Sequence, residues 1–274
     1  MKVGIIGLGL IGYPIALALH KQGHEVTSWT RKPRDVSWEN STQLLSRVPK
    51  SLDYLIVASG SSRPTSGGVK EEITSTFDLV STRFENNGLR VIYLSSGAVY
   101  GECITAKSED ALINPSSEYG LAKSVAEQAF FSSYANNFCT LRIGNVIDWH
   151  SPYGVLQAMS NAISQHKMVF YGNPTDCRDY VSIQDLILTI SRLIDTKLFP
   201  NVLNVGSGIE VQLAELATIL IESSRNRIEI SWREMGVGQL KQTKLNVSRL
   251  KSTLEVWPKH PREIFAEFLT LGNS

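Results

Sequence analysis

Short apolar runs alternate with longer segments of helical spacing along the first half of the chain, and this alternation most limits its possible folds. The runs that predict strands lie at residues 3–6, 24–30, 53–59, 90–94 and 139–143. The segments that predict helices lie at residues 11–21, 69–85 and 119–136. A helix between two such strands makes a crossover, and crossovers join parallel strands. We therefore expect an α/β protein with a doubly wound parallel sheet, in which residues 34–50 leave room only for an abbreviated crossover.

The second half of the chain has a looser pattern. Further helices are predicted at residues 155–165, 185–196, 213–223 and 262–271, and further strands at residues 169–171, 202–205 and 228–232. A loop at residues 148–154 and the turn signal Gly172-Asn173-Pro174 interrupt this region. The pattern predicts a smaller lobe formed late in the chain beside the main sheet.

The composition excludes several classes of protein. With 27 Lys and Arg against 26 Asp and Glu, the formal charge is +1, so we expect neither nucleic acid nor a membrane as a partner. No apolar stretch reaches the roughly 18 residues of a membrane span. The three widely spaced cysteines, Cys103, Cys139 and Cys177, argue against a disulfide framework and against a metal site. They suit a reducing compartment, so a cytoplasmic location is expected.

A glycine-rich loop, Gly7-Leu8-Gly9-Leu10-Ile11-Gly12, follows the first predicted strand and opens the first predicted helix. In G-x-G-x-x-G the first glycine permits a tight turn, the second lets the backbone approach a pyrophosphate, and the third lets the helix pack on the strand. The helix N-terminus presents unpaired amides to the phosphates. The loop predicts a dinucleotide site of the Rossmann type, with Gly7, Gly9, Leu10, Ile11 and Gly12 as cofactor-binding residues.

The residues that end the second predicted strand indicate which dinucleotide binds. A carboxylate there would bind the ribose 2′-hydroxyl of NAD, whereas an arginine accommodates the 2′-phosphate of NADP. The chain has Thr30-Arg31-Lys32 and no acid at this point. Thr30 and Arg31 are therefore candidate cofactor-binding residues, with NADP(H) preferred and NAD(H) as the alternative. The plainer interpretation is that Arg31 and Lys32 form a solvated strand end.

A candidate acid–base pair, Tyr119 and Lys123, has Y-x-x-x-K spacing at the start of a predicted helix. Because the two residues are four positions apart, the phenol and the ammonium share one helix face. A free tyrosine has a pKa of about 10, and a neighbouring Lys⁺ and a positive nicotinamide would lower this pKa. Tyr119 would then exchange a proton with a sugar or alcohol oxygen. Ser96, 23 residues earlier at the end of a strand, would hydrogen-bond the same oxygen.

These motifs together resemble the extended short-chain dehydrogenase/reductase family, the NAD(P)-dependent epimerase/dehydratase group that acts on nucleotide sugars. The resemblance covers nearly the whole chain and includes S-S-G-A-V-Y-G at residues 95–101, L-R-I-G-N-V at 141–146, R-D-Y-V at 178–181 and N-V-G-S-G at 204–208. It implies that Ser96 is the catalytic hydroxyl, that Tyr119 is the acid/base, and that Lys123 supports Tyr119 and holds the nicotinamide ribose. It also implies that Asn145 reaches the substrate and that Arg178 contacts the substrate's nucleotide diphosphate.

The chain departs from the pattern of that family at three places. Ile6 stands where the family has the first glycine of G-x-x-G-x-x-G. Ala58-Ser59-Gly60 replaces the usual H-x-A-A, which leaves Ala58 and Ser59 as candidate cofactor-binding residues. Asp148-Trp149-His150 replaces the usual Y-G-P, so this substrate loop is expected to differ.

The resemblance also implies a domain organisation. Residues 1–145 and 178–206 are expected to form the dinucleotide-binding Rossmann domain. Residues 146–177 and 207–274 are expected to form a smaller, discontinuous substrate-binding lobe at the C-terminal side. A homodimer through a four-helix bundle that includes the helix at 119–136 is a further expectation.

The resemblance leaves the reaction type open. The leading hypothesis is an oxidoreductase that uses NADPH to reduce a 4-keto nucleotide-diphosphate sugar, because Arg31 favours NADPH and the lobe is short. The alternative is an epimerase that retains NAD(H). A dehydratase fits less well, because Ser96 is followed by Gly97-Ala98 rather than by an Asp-Glu pair. A cofactor-sensing binding protein is a third hypothesis, although such proteins typically lack Y-x-x-x-K.

Overall fold

The computed structural model describes residues 1–30, 41–43, 51–60, 76–78, 80–81, 84, 88–102, 104–224, 227–234 and 240–271. The strands of its central sheet are β1 (Lys2–Ile6), β2 (Glu25–Thr30), β3 (Ser41–Gln43), β4 (Tyr54–Val57), β5 (Arg90–Ser96), β6 (Phe138–Ile143) and β10 (Val202–Val205). They lie in the order β10-β6-β5-β4-β1-β2-β3, and each neighbouring pair is parallel. The predicted α/β architecture with a doubly wound parallel sheet is confirmed.

The α-helices fall close to the segments of helical spacing in the sequence. They are α1 (Gly12–Lys21), α2 (Glu118–Tyr134), α3 (Val155–Gln165), α4 (Ile183–Thr196), α5 (Leu213–Ser223), α6 (Ser248–Leu254) and α7 (Pro261–Leu271). Two short 3₁₀ helices lie at Gly97–Tyr100 and Ala135–Asn137. Residues 76–78 and 80–81 are also helical, whereas most of the helix predicted at 69–85 lies outside the described residues.

Helices cover both faces of the central sheet, which explains why its strands are nearly continuous apolar runs. On one face, Ile5 packs in a buried cluster with Ile15 of α1 and Leu186 of α4. On the other face, Ile6 packs in a second cluster with Phe130 of α2. Ile5 and Ile6 enter different clusters because successive strand residues point to opposite faces.

Two small sheets accompany the central one. β7 (Asn145–Ile147), β9 (Cys177–Ser182) and β11 (Glu210–Gln212) form one of them in the order β11-β9-β7. β8 (Lys167–Tyr171) and β12 (Glu229–Arg233) pair in parallel to form the other. The sequence patterns predicted β8 and β12 but not β7, β9 or β11. β9 was missed because its polar residues Arg178 and Asp179 interrupt the apolar pattern, and Asp179 is nevertheless fully buried.

A third buried cluster lies in the smaller part of the molecule and joins β8 and β9 to α3, α5 and α7. The segment that contains Leu245, Leu250 and Val256 packs in the cluster of the central sheet instead, although the expected lobe included it. The division of the chain into the two expected domains stays a prediction. Within the described residues, none of the helices has the length and apolar character needed to span a membrane.

Candidate functional site

The carboxyl ends of β1, β4, β5 and β6 meet at one edge of the central sheet, where the chain reverses its direction of strand addition between β1 and β4. Open α/β sheets bind ligands at such a point. A cavity of about 560 Å³ lies there and extends across the loops that follow these strands. The predicted site residues that line the cavity are Leu10, Ile11, Ala58, Ser96, Tyr119, Lys123 and Asn145.

The glycine loop has closely packed backbone at Gly7 and Gly12, whereas Gly9 has free space beside it. Gly7 has a φ of +94°, and a Cβ there would lie 2.8 Å from the backbone nitrogen of Ser59. A Cβ on Gly12 would lie 1.9 Å from the carbonyl oxygen of Gly7, so only glycine permits this approach of helix to strand. A Cβ on Gly9 would meet no atom within 4 Å. Among the described residues, no side chain caps the N-terminus of α1. This arrangement fits the pyrophosphate of a dinucleotide.

The remaining predicted cofactor residues lie at or just after the ends of β2 and β4. Thr30 is the last residue of β2, at the same sheet edge, whereas Arg31 and Lys32 lie outside the described residues. The hydroxyl of Ser59 donates a hydrogen bond to Thr76 Oγ1 at 3.1 Å. Ser59 therefore connects the loop after β4 to the helical residues 76–78, while its neighbour Ala58 lines the cavity.

Ser96 and Tyr119 are brought together by two helix caps and one glycine. Ser96 Oγ accepts a hydrogen bond from Ala98 N at 3.2 Å and so starts the 3₁₀ helix at Gly97–Tyr100. Ser117 Oγ accepts one from Gly120 N at 3.1 Å and starts α2 just before Tyr119. A Cβ on Gly120 would lie 2.5 Å from the carbonyl oxygen of Ala98, so this glycine lets α2 approach the end of β5. Ser96 and Tyr119 consequently both line the same cavity.

Lys123 lies beneath the tyrosine in the buried interior. Its Nζ donates a hydrogen bond to the Leu94 carbonyl oxygen at 2.8 Å and lies 5.8 Å from the centre of the Tyr119 ring. Burial raises the pKa of Tyr119 to about 12, and the Ser96 hydroxyl lowers it by a smaller amount. In the protein's own surroundings the pKa of Tyr119 is therefore higher than that of a free tyrosine, because burial has the largest effect on the phenol. The lowering expected from Lys123 together with a positive nicotinamide stays a prediction.

A buried polar network supports the end of β5 from behind and was not predicted. Glu127, four residues after Lys123 on α2, accepts a hydrogen bond from Ser95 Oγ. It also forms an ion pair with Arg142 of β6, whose Nη2 lies 2.9 Å from Glu127 Oε2. Arg142 Nη1 donates to the Tyr100 hydroxyl at 2.9 Å. The signal in the sequence was a carboxylate on the inward face of α2, continuing the four-residue spacing of the acid–base pair.

Two predicted substrate residues lie in different surroundings. Asn145 is exposed and lines the cavity at the end of β6. Arg178 is not among the described residues that line the cavity. Its Nη1 donates hydrogen bonds to the carbonyl oxygens of Cys177 at 2.8 Å and Lys241 at 2.7 Å. The structure therefore places Arg178 where β9 meets the segment at Lys241.

The loop after β7 also lines the cavity, through Asp148, Ser151 and Tyr153. Trp149 anchors this loop by packing edge-on against Phe268 of α7, with ring centres 6.2 Å apart. None of these residues was predicted as a site residue. The departure from Y-G-P at residues 148–150 was the signal that could have identified them.

Several known proteins are similar to this chain. It is 28% identical over 181 residues to UDP-glucose 4-epimerase of Mycolicibacterium smegmatis, a match that covers 62% of this chain and 58% of that protein. It is 30% identical over 148 residues to dTDP-4-dehydro-6-deoxyglucose reductase of Escherichia coli, covering 48% of this chain and 45% of the reductase. The chain thus spans about half the length of these curated relatives.

The fold is shared with solved structures at lower sequence identity. The UDP-glucuronic acid 4-epimerase of Bacillus cereus, solved with UDP-glucuronic acid and NAD, superposes with a TM-score of 0.86. That match has 18% identity and covers 99% of this chain and 98% of the epimerase. Residues 3–206 match the family model of the NAD dependent epimerase/dehydratase family. This match includes the glycine loop, Ser96, Tyr119 and Lys123, and the chain belongs to the NAD dependent epimerase/dehydratase family.

Proposed function

We propose that this protein is an NADPH-dependent oxidoreductase that reduces a 4-keto group of a nucleotide-diphosphate sugar. The observation that carries the proposal is that Ser96 and Tyr119, with Lys123 beneath the tyrosine ring, line one cavity that continues to the glycine loop. Two features of the curated relatives support the substrate class. One relative is a nucleotide-sugar epimerase and the other a 4-keto sugar nucleotide reductase.

The protein residues provide the proton and the positions of the reactants. With its pKa raised to about 12, the Tyr119 phenol is protonated at neutral pH and is ready to donate its proton to the sugar oxygen. Ser96 hydrogen-bonds the same oxygen and orients it towards Tyr119. The Lys123 ammonium stabilises the phenolate that remains after transfer. A bound nicotinamide dinucleotide supplies the hydride of the redox step. Gly7, Gly9, Leu10 and Ile11 would hold its pyrophosphate, and Lys123 its ribose.

The proposed cofactor preference comes from the end of β2. No acid is present at Thr30-Arg31-Lys32 to bind an unphosphorylated ribose, and Arg31 would pair with a 2′-phosphate. NAD(H) is the alternative, and the solved epimerase from Bacillus cereus contains NAD. Titration of the nucleotide-free protein with NADPH and with NADH measures the preference directly.

A second candidate function is epimerisation of a nucleotide sugar with retained NAD. The relative from Mycolicibacterium smegmatis favours this function because it is a UDP-glucose 4-epimerase. In an epimerase, Tyr119 would first accept and then return the same proton while the cofactor stays bound. The two functions therefore differ in whether cofactor is consumed.

The proposed reduction is tested by two measurements on the purified protein. Denaturation releases any bound nucleotide, which is identified by chromatography. Nucleotide-free protein is then mixed with NADPH or NADH and a set of 4-keto sugar nucleotides, and the near-ultraviolet absorbance of the reduced cofactor is followed. The proposal expects an empty site and loss of NADPH absorbance. Release of one NAD(H) per protein molecule, together with no consumption of added cofactor, would contradict the proposed reduction and support the epimerase function.

The cellular setting and the assembly state follow as further proposals. Cysteine usage favours the cytoplasm, and Cys139 and Cys177 are buried free thiols. A homodimer would bury Leu121 and Val125, which are about half exposed one turn apart on α2. Light scattering coupled to gel filtration measures the mass, and a mass of 30.3 kDa would contradict the dimer.

A further inference from the structure

The cavity has an order that follows the strands of the sheet. Because the strands run β1-β4-β5-β6 across this edge, the glycine loop after β1 lies at one end of the cavity and the segment after β6 at the other. Ser96, at the end of β5, lies between these ends. A sugar that reacts beside Ser96 and Tyr119 therefore presents its other substituents to the segment after β6.

Asp148 is held in place on this segment. Its Oδ1 accepts a hydrogen bond from the backbone nitrogen of His150 at 3.0 Å, which fixes the side chain of Asp148 at the start of the loop. The packing of Trp149 against Phe268 holds the backbone between Asp148 and His150. A carboxylate is thus presented at the wall of the cavity by a loop with two independent anchors.

The charges along the cavity are unevenly placed. Among the described residues that line it, Asp148 is the one acidic side chain and Lys123 the one basic side chain. The Lys123 ammonium is buried at the end of β5, where it donates to Leu94. A negative group on the sugar near β6 would therefore face the Asp148 carboxylate, and among the described lining residues no basic side chain lies at that end of the cavity. The low dielectric of a cavity strengthens the repulsion between the two negative charges.

We infer that Asp148 selects the sugar: it excludes nucleotide sugars that carry a carboxylate and accepts those that offer a hydrogen-bond donor, a hydroxyl or an ammonium. This inference rests on the proposed function and names the substrate class of the same site. It separates this chain from the structurally similar epimerase of Bacillus cereus, which was solved with UDP-glucuronic acid. The departure from Y-G-P at residues 148–150 then determines specificity.

The test measures binding by isothermal titration calorimetry, in the presence of saturating NADPH. The two probes share one nucleotide and differ only at C6 of the sugar, where the glucose form carries a hydroxymethyl group and the glucuronic acid form a carboxylate. Both are prepared with whichever of UDP, dTDP or GDP binds most tightly as the glucose form. The proteins are wild type, Asp148→Asn, Asp148→Ser and the control Asp195→Asn. Asp148→Ser keeps an oxygen near His150 N, and the control makes the same charge change at an exposed position of α4.

The wild type is expected to bind the glucuronic acid form at least about tenfold more weakly than the glucose form. Both Asp148 variants should reduce this ratio to within about threefold, and Asp195→Asn should retain it. Equal binding of glucose and glucuronic acid by the wild type, or an unchanged ratio in the Asp148 variants, overturns the inference alone. Binding of NADPH but of none of the sugar nucleotides overturns the proposed function as well.

Discussion

The Lys123 ammonium donates a hydrogen bond of 2.8 Å to the backbone carbonyl oxygen of Leu94, two residues before Ser96. This bond ties α2 to the end of β5, and it fixes the distance between the helix that carries Tyr119 and the strand that carries Ser96. The same lysine lies 5.8 Å from the Tyr119 ring centre. One side chain therefore holds the candidate acid in position and, in the proposed reaction, would compensate the negative charge of the phenolate.

The glycine loop provides a matched pair of substitutions. Gly9→Ala should leave the free energy of unfolding nearly unchanged, because the added methyl meets no atom within 4 Å, and should weaken dinucleotide binding at least about tenfold. Gly12→Ala should instead destabilise the fold by about 1–3 kcal/mol, because its Cβ would overlap Gly7 O. Urea unfolding and NADPH titration distinguish the two effects. Equal stability of both variants would contradict the assigned packing role of Gly12.

The raised pKa of Tyr119 predicts the pH dependence of reduction. Because this pKa is about 12, the proton-donating form of Tyr119 is fully populated from pH 6 to pH 9. The rate of reduction at saturating NADPH and substrate should therefore show no loss that follows titration of a tyrosine in this range. A pH–rate profile that falls with a midpoint near pH 7 and that loses this midpoint in Tyr119→Phe would show that the bound cofactor lowers the pKa instead.

The Glu127–Arg142 ion pair is expected to contribute strongly to stability when only one partner is removed. Glu127→Gln leaves the buried Arg142 without its carboxylate and should cost about 3–5 kcal/mol. The exposed pair of Lys259 and Glu267 supplies the control, since Glu267→Gln should cost less than about 1 kcal/mol. Urea denaturation measures both values. A cost for Glu127→Gln no larger than that of the control would show that the network does not stabilise the end of β5.

Asp179 should give the protein a component of stability that decreases as the pH rises. Burial raises its pKa from 3.8 to about 6, although hydrogen bonds from Ser207, Gly208 and Leu245 oppose the rise. Between these two values the folded state binds more protons than the unfolded state, so this group's contribution is present below about pH 4 and is lost as the pH passes 6. The free energy of unfolding of the wild type relative to Asp179→Asn should fall over that range by about 3 kcal/mol at most. A difference that grows with pH would mean that the hydrogen bonds outweigh burial.

Most strands of the central sheet could be predicted from the sequence because each one is specified by the residues of its own segment. Apolar strands such as β1 and β5, followed by a helix start, determine both their own structure and the parallel pairing that brings the strand ends together. The meeting of Ser96, Tyr119 and Lys123 follows from that topology. The glycine loop was predicted for the same reason.

The parts that were not predicted depend on contacts between distant residues. β9 contains Arg178 and Asp179, and Asp179 can be buried only because donors from residues 207, 208 and 245 reach it. The direction of the Tyr119 pKa shift depends on how densely the folded chain surrounds the phenol, which the Y-x-x-x-K spacing does not contain. Asp148 lines the cavity on a loop that Trp149 anchors to α7.

The central claim, that Tyr119 transfers the proton in a dinucleotide-dependent reaction on a nucleotide sugar, is tested most directly by Tyr119→Phe. NADPH affinity and the rate of NADPH consumption with a 4-keto sugar nucleotide would be measured side by side for the wild type and this variant. We expect the dissociation constant of NADPH to stay within about threefold and the rate to fall by about 10²–10⁴-fold. A Tyr119→Phe variant that retains the wild-type rate would contradict the assigned role of Tyr119.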